Sequence, residues 1–237
     1  INISEALRDS CNYFFYEVGF RLATKNGTYN DQYGIERISS YAKSFGLGEK
    51  TGIEIPESSP KLATKFPVMA AIGQSDHAYT TAQLARYVTS VANSGTVYNL
   101  SLLDKTVDGK NAVIKDYTPV VKNKITNISL ESWNAIHSGM RMVVEKLPVF
   151  NSLLTPVAGK TGTAQEDKTR PTHALFVGYA PFDNPSFAIA TRIAFGYTSG
   201  NAAELSAQIT KFYFKEADRS TLVTGEAGVI SSGTVHD

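Results

Sequence analysis

Apolar positions along the chain fall into two regimes. Over roughly the first 145 residues they recur mostly at helical spacing, and between 157 and 195 they run in short strand-like blocks separated by turn residues. Ile1 to Ser10 predicts a helix, with Asn2 as cap and Glu5 in the capping-box position. A second apolar helix runs from Tyr13 to about Ala23, which leaves Ser10 and Asn12 at a helix–helix junction. Asn26-Gly27 predicts a turn, and Ile38, Tyr41, Ala42 and Phe45 predict a helix that Gly46 ends. Gly48 to Pro60 is rich in turn residues. Thr80 with Gln83 opens a helix whose face is Leu84, Val88, Val91 and Ala92, closed by Asn93-Ser94-Gly95. Val97 to Val107 and Ala112 to Tyr117, around Asp108-Gly109, predict a hairpin with a two-residue turn or a close variant. Ser129 opens a helix carrying the core stripe Trp133, Ile136, Met140, Val143 and Val144. Asn201 with Glu204 opens a last one, apolar at Ala202, Leu205, Ile209 and Phe212. From about Glu216 the periodicity stops, so residues 1–215 form one domain and 216–237 a poorly ordered tail.

Val157 to Gln165, Thr172 to Pro181 and Phe187 to Phe195 predict three consecutive strands of an antiparallel meander. The fold class expected is therefore α+β: an antiparallel sheet of at least three strands within 157–195, flanked by helices. The first of these strands concentrates the chemistry. Lys160, Thr161, Gly162 and Thr163 put a cation, two hydroxyls and a bare backbone position in four consecutive residues. Alternation places Lys160 and Gly162 on one face and Thr161 and Thr163 on the other. A glycine in such a run marks a place where a ligand or another backbone approaches closely. A peptide carboxylate laid along the sheet edge would suit these groups, and so would an ordinary edge strand with no ligand. Gly159-Lys160-Thr161 is not the end of a phosphate-binding loop, because Leu154 stands where that motif needs glycine.

Composition narrows the classes further. A formal net charge of +1, without a run of either sign, predicts no nucleic-acid surface. One cysteine, Cys11, forbids an internal disulfide, and His77, His137, His173 and His236 lack metal-ligand spacing, so no metal and no cofactor are assigned. No apolar run reaches the ~20 residues of a membrane span. His173, a lone histidine before a strand, reads as structural.

With Ser10-Cys11-Asn12 upstream of Lys160-Thr161-Gly162, the chain resembles the penicillin-binding transpeptidases and serine β-lactamases, whose motifs are Ser-x-x-Lys, then Ser-Asp-Asn or a variant, then Lys-Thr-Gly. The resemblance is closest to class B penicillin-binding proteins. It is carried by Glu5-Ala6-Leu7, Phe45-Gly46-Leu47-Gly48 with Thr51-Gly52-Ile53, Ala71-Ile72-Gly73-Gln74, Ser138-Gly139-Met140, Ala158 to Gln165, and His173-Ala174 with Val177 to Pro181. Ser75 stands where that family often has glycine.

The resemblance implies a peptidoglycan D,D-transpeptidase that cross-links stem peptides through a serine acyl-enzyme and is inhibited by β-lactams. It implies Ser10 as proton relay, Asn12 as holder of the catalytic lysine and substrate amide, and Lys160 as source of positive potential. Thr161, Gly162 and Thr163 would bind substrate, with the Thr163 amide in the oxyanion hole. The family's Ser-x-x-Lys precedes Ser-x-Asn, and no lysine lies before Ser10, so this chain alone is expected not to be acylated. An upstream segment of the same protein, carrying nucleophile and membrane anchor, is expected as a partner, alongside other cell-wall synthesis proteins at the extracytoplasmic face of the bacterial membrane. Without the strands the family places before the nucleophile, one sheet edge is expected to be bare. Ser40-Tyr41-Ala42-Lys43 and Ser58-Ser59-Pro60-Lys61 are pseudo-matches, and Ser132-Trp133-Asn134 lies on a core-facing helix. The alternative is a non-catalytic penicillin-binding fold that serves as a scaffold or binding module.

Overall fold

The computed structural model describes residues 1–222. Helix α1 (Ile3–Arg8) begins with the reciprocal cap its sequence predicts. Asn2 Oδ1 accepts from the Glu5 N–H at 3.0 Å, and the Glu5 carboxylate accepts from the Asn2 N–H at 2.9 Å. It ends two residues before Ser10 because Ser10 adopts a left-handed backbone, φ 46°. The Cys11 N–H then reaches Ala6 O (2.9 Å) and the Ser10 N–H reaches Leu7 O (3.3 Å), closing the helix as a Schellman motif.

Helix α2 (Asn12–Leu22) follows directly. Strands β1 (Thr24–Lys25) and β2 (Thr28–Tyr29) form a tight hairpin, with Asn26 (φ 51°) and Gly27 (φ 79°) both left-handed as a type I′ turn requires. Helix α3 (Asp31–Ser44) is capped by Asn30. A short helix that periodicity does not reveal, α4 (Pro67–Ala70), precedes α5 (Thr81–Ala92), which the Thr80/Gln83 capping box opens.

The expected single hairpin over 97–117 is replaced by two strand pairs. Strand β3 (Thr96–Asn99) pairs with β6 (Val120–Lys124), and β4 (Lys105–Val107) pairs with β5 (Val113–Asp116) between them. The chain leaves β3 early because the Leu100 N–H bonds Thr51 O, while Ser101 and Leu102 donate to the Glu54 carboxylate. The turn is also longer than two residues: the Asp108 carboxylate accepts from the Lys110 and Ala112 amides, and Asn111 is left-handed at φ 63°.

Helix α6 (Leu130–Glu145), capped by Ser129, leads to the central sheet: β7 (Ala158–Ala164), β8 (His173–Ala180) and β9 (Phe187–Ile193), antiparallel in the order β7-β8-β9. The three-strand meander over 157–195 is present as predicted. Among the described residues the outer edges of β7 and β9 take no further strand. Helix α7 (Ser199–Tyr213) begins three residues before the expected Asn201 cap. Thr198 accepts from the Gly200 N–H, while the Asn201 side chain donates to Gly196 O. Glu216 is anchored, its carboxylate accepting from the Leu154 and Thr155 amides at 2.8 Å each, and α8 (Arg219–Leu222) follows. The rest of the expected tail, 223–237, lies outside the described residues.

Two cores sandwich the sheet. On one face Ala174, Phe176 and Ala180 pack with Ala202, Ala203 and Ala207 of α7. On the other, Ala158 and Tyr179 pack with Val88 and Val91 of α5 and Trp133 and Met140 of α6. Lys160 is two residues from Ala158, so its side chain rises on the helical face.

Candidate active site

Ser10 is placed by packing of α1 on α6. At Gly139 a Cβ would come within 2.9 Å of Leu7 Cβ and of Ser4 Cα, so glycine there permits the close approach, and Ser4 Oγ donates to Ala135 O at 2.7 Å. At the other end of α1, Asp9 accepts from Arg8 and from Lys146 at the end of α6. Hydrogen bonds from Arg8 foremost, then Lys146, hold its carboxyl well below the usual carboxylate range. Helix α6 in turn ties to the start of β7, through Arg141 donating to Val157 O at 2.8 Å.

The result is a direct contact across sequence. Lys160 Nζ donates to Ser10 Oγ at 2.5 Å and to the Thr161 carbonyl at 3.0 Å. Ser10, Asn12, Lys160, Thr161, Gly162 and Thr163, every residue singled out from the motifs, line one cleft of about 590 Å³. Asn12 sits exposed at the first turn of α2, and its side chain makes no hydrogen bond among the described residues. At Gly162 an added Cβ would meet only Leu175 Cβ, at an ordinary 3.5 Å. The fold itself therefore does not require this glycine, and the space it leaves belongs to the cleft. The pseudo-matches lie elsewhere. Ser40 and Lys43 line a different cavity on α3, Lys61 is engaged with Asp76, and Trp133 is buried in the core.

Sequence patterns did not reveal the wall opposite the strand. It is formed by Ala71, Ile72 and Gly73, backed by Tyr87. Gly73 is left-handed at φ 83°, and the segment is held through Asp76, which accepts from the Thr64 amide (2.9 Å), the Thr64 hydroxyl (2.5 Å) and Lys61 (3.2 Å). The Thr64 hydroxyl is the main reason the Asp76 carboxyl lies far below its ordinary range. Ser75, where glycine might stand, donates to Lys65 O at 2.7 Å and so adds to the same clasp. Burial pushes the neighbouring His77 imidazole down and the Tyr87 phenol up.

His173, expected to be a lone structural histidine, does have an acid partner: its Nε2 lies 2.9 Å from Glu166. Among the described residues no group of three or more His, Cys, Asp or Glu is placed to hold a metal, and no helix is long and apolar enough to cross a membrane.

Comparison with known proteins places this geometry. The family profile described as the penicillin binding protein transpeptidase domain matches residues 1–212. The chain is 29% identical over 254 residues to the peptidoglycan D,D-transpeptidase MrdA of Haemophilus influenzae, covering 91% of this chain and 36% of that protein. It superposes on penicillin-binding protein 2B of Streptococcus pneumoniae with a TM-score of 0.79 at 27% identity, over 91% of this chain and 39% of that one. Penicillin-binding protein PBP2 of Helicobacter pylori, solved in complex with MreC, shares the fold (TM-score 0.72, 19% identity, 92% of this chain and 40% of that one). The chain thus spans little more than a third of the length of these relatives.

Proposed function

The chain belongs to the penicillin-binding protein transpeptidase domain family, and from that premise we propose that it forms the Ser-x-Asn and Lys-Thr-Gly sides of a D,D-transpeptidase site that cross-links peptidoglycan stem peptides through a serine acyl-enzyme. The observation that carries this is the contact between Lys160 and Ser10, 150 residues apart in sequence. The nucleophile belongs to a Ser-x-x-Lys outside this sequence, since Ser40 and Ser58 stand away from the cleft motifs.

The roles follow from hydrogen-bond polarity. An ammonium only donates, so Ser10 Oγ accepts from Lys160 and keeps its own hydrogen free to give. As the acylated serine forms and the C–N bond of the terminal D-Ala-D-Ala peptide breaks, Ser10 delivers that hydrogen to the departing amine, and Lys160 stabilises the negative character left on its oxygen. Ser10 then recovers a proton from the nucleophile's lysine, which had taken it from the attacking hydroxyl. Asn12, whose amide both donates and accepts, is free to hold that lysine and the substrate amide. Thr161 and Thr163 grip the terminal carboxylate. The substrate backbone lies over Gly162, and the Thr163 N–H is one oxyanion donor; losing one such donor typically costs ~10²–10³ in rate. β-Lactams, cyclic mimics of the dipeptide, stall at the acyl stage. This chemistry places the chain on the extracytoplasmic side of a bacterial membrane, where stem peptides are, with other wall-synthesis proteins as partners.

Labelling with fluorescent penicillin tests the proposal. The natural gene product containing this chain is expected to label covalently, and the 237-residue chain alone is not. Gly162→Ala in the gene product should leave the melting temperature unchanged and slow labelling by about 10- to 100-fold, the penalty of displacing a bound reactant by an ångström. Absence of labelling in the gene product would favour the scaffold alternative, and labelling of the isolated chain would return Ser40 and Ser58 to consideration.

A further inference from the structure

His173 is a buried ionisable residue outside the set Ser10, Asn12 and Lys160 to Thr163, and its ring joins three separate segments at one end of the cleft. In the strand register it pairs with Ala164, while its neighbour Ala174 pairs with Thr163. Nδ1 lies 3.1 Å from the backbone nitrogen of Phe195, whose N–H can only donate. The ring hydrogen is therefore on Nε2, and it donates to the Glu166 carboxylate at 2.9 Å. Arg192 on β9 lies 3.3 and 3.4 Å from the two ring nitrogens, and Arg170 stands 5.6 Å over the Phe195 ring.

The turn that His173 holds is a strained one. Phe195 (φ 55°) and Tyr197 (φ 65°) are both left-handed, a conformation that costs a bulky L residue about 1–3 kcal/mol unless its surroundings enforce it. They are enforced from the start of β8. The Phe195 N–H is taken by His173, the Tyr197 N–H by Thr172 O at 3.1 Å, and the Thr172 hydroxyl donates to Tyr197 O. On the other side Glu166 is two residues beyond the end of β7, and its side chain is mostly in solvent, so the bond to His173 draws the strand exit inward.

We infer that His173 is a positioning residue for Thr163: it pins the exit of β7, through Glu166, to the turn at Phe195–Tyr197, and so fixes where the Thr163 hydroxyl and amide stand along the cleft. Strand β7 is paired on one side only, so nothing in the ladder itself resists a swing of its outer end once residues 165–172 are released. The role rests on the proposed transpeptidase function, because Thr163 is assigned there to the substrate carboxylate and oxyanion.

The test uses the natural gene product and the concentration dependence of penicillin acylation. His173→Gln retains a donor for Glu166, His173→Asn retains an acceptor for the Phe195 N–H, and His173→Ala retains neither. The half-saturating concentration is expected to rise about 10-fold in His173→Ala, with the limiting rate unchanged and partial rescue by Asn and Gln, because misplaced binding groups weaken capture of the substrate. Glu166→Ala, which removes one arm from the solvent side without disturbing the core, should reproduce a smaller rise. Hydrogen exchange of the Thr163 and Phe195 amides in the same variants should quicken. Wild-type values in Glu166→Ala and both conservative variants, or a loss lying wholly in the limiting rate, would overturn the role. A wild-type protein that takes no penicillin would overturn the proposed function instead, and amide exchange would still decide whether the pin exists.

Discussion

The strand wall of the cleft is paired along the length of β7 with β8 and backed by apolar cores on both faces of the sheet, whereas the wall across from it, residues 71–77, has no ladder and hangs on a few side-chain hydrogen bonds around Asp76. The first wall stays in place because many weak contacts act together, so no single polar bond decides its position. The second depends on one carboxylate, and its position can change while the rest of the fold stands. A site built between a rigid edge and an adjustable one can keep its charge geometry at Lys160 fixed while the facing surface accommodates different peptides.

Breaking the rigid wall takes a core change. Phe176→Ala removes a fully buried ring that packs against Phe150, and is expected to cost about 3–5 kcal/mol, seen as a lower midpoint of denaturant unfolding across the whole domain. Breaking the adjustable wall takes one polar change and should spare the rest. Asp76→Ala should speed hydrogen exchange over 71–77 by about 10-fold, the usual weight of a charged hydrogen-bond set, with β7 protection unchanged. Equal loosening of both segments would mean the two walls are one cooperative unit. Acid makes the same distinction more gently. The Asp76 carboxyl titrates below its unfolded value of about 4, so its contribution is fully present above that pH and is lost as pH falls through the lower folded value. Protection factors at 71–77 should therefore fall before those at 158–164 as pH drops below about 4.

The same contrast governs what the sequence discloses. Caps, the meander and the chemistry of β7 were legible because they are written locally: Asn2 with Glu5, Thr80 with Gln83, and a run of cation, hydroxyls and glycine at strand spacing. The joining of Ser10 to Lys160 could be expected from motif order, although only α1 on α6 and α6 on β7 bring it about. The strand partners of β3, the wall at 71–77 and the tie from Glu166 to His173 rest on contacts between distant or loop residues. There, an aspartate in a loop or a mostly exposed glutamate looks like any solvated charge. The Asn201 cap failed for a related reason: Thr198 precedes a Ser-Gly pair that sequence patterns read as turn, and the fold continues as helix.

The smallest effect concerns the residue where the two kinds of order meet. Ser10 closes α1 at the position where a Schellman motif favours glycine, and its left-handed backbone aims the hydroxyl at Lys160. Ser10→Gly and Ser10→Ala remove the same hydroxyl and the same contact, so any difference in stability between them isolates the backbone. Glycine avoids the steric cost of φ 46°, though it loses more chain entropy on folding, which leaves it ahead of alanine by about 1 kcal/mol, or some 2–4 °C in melting temperature for a domain of this size. Both variants of the gene product should lose penicillin acylation to the same degree. A matched pair of melting temperatures would mean that the helix end relaxes out of the left-handed region without its serine. In that case the geometry of the cleft is held by the contact with Lys160 rather than by the closure of α1.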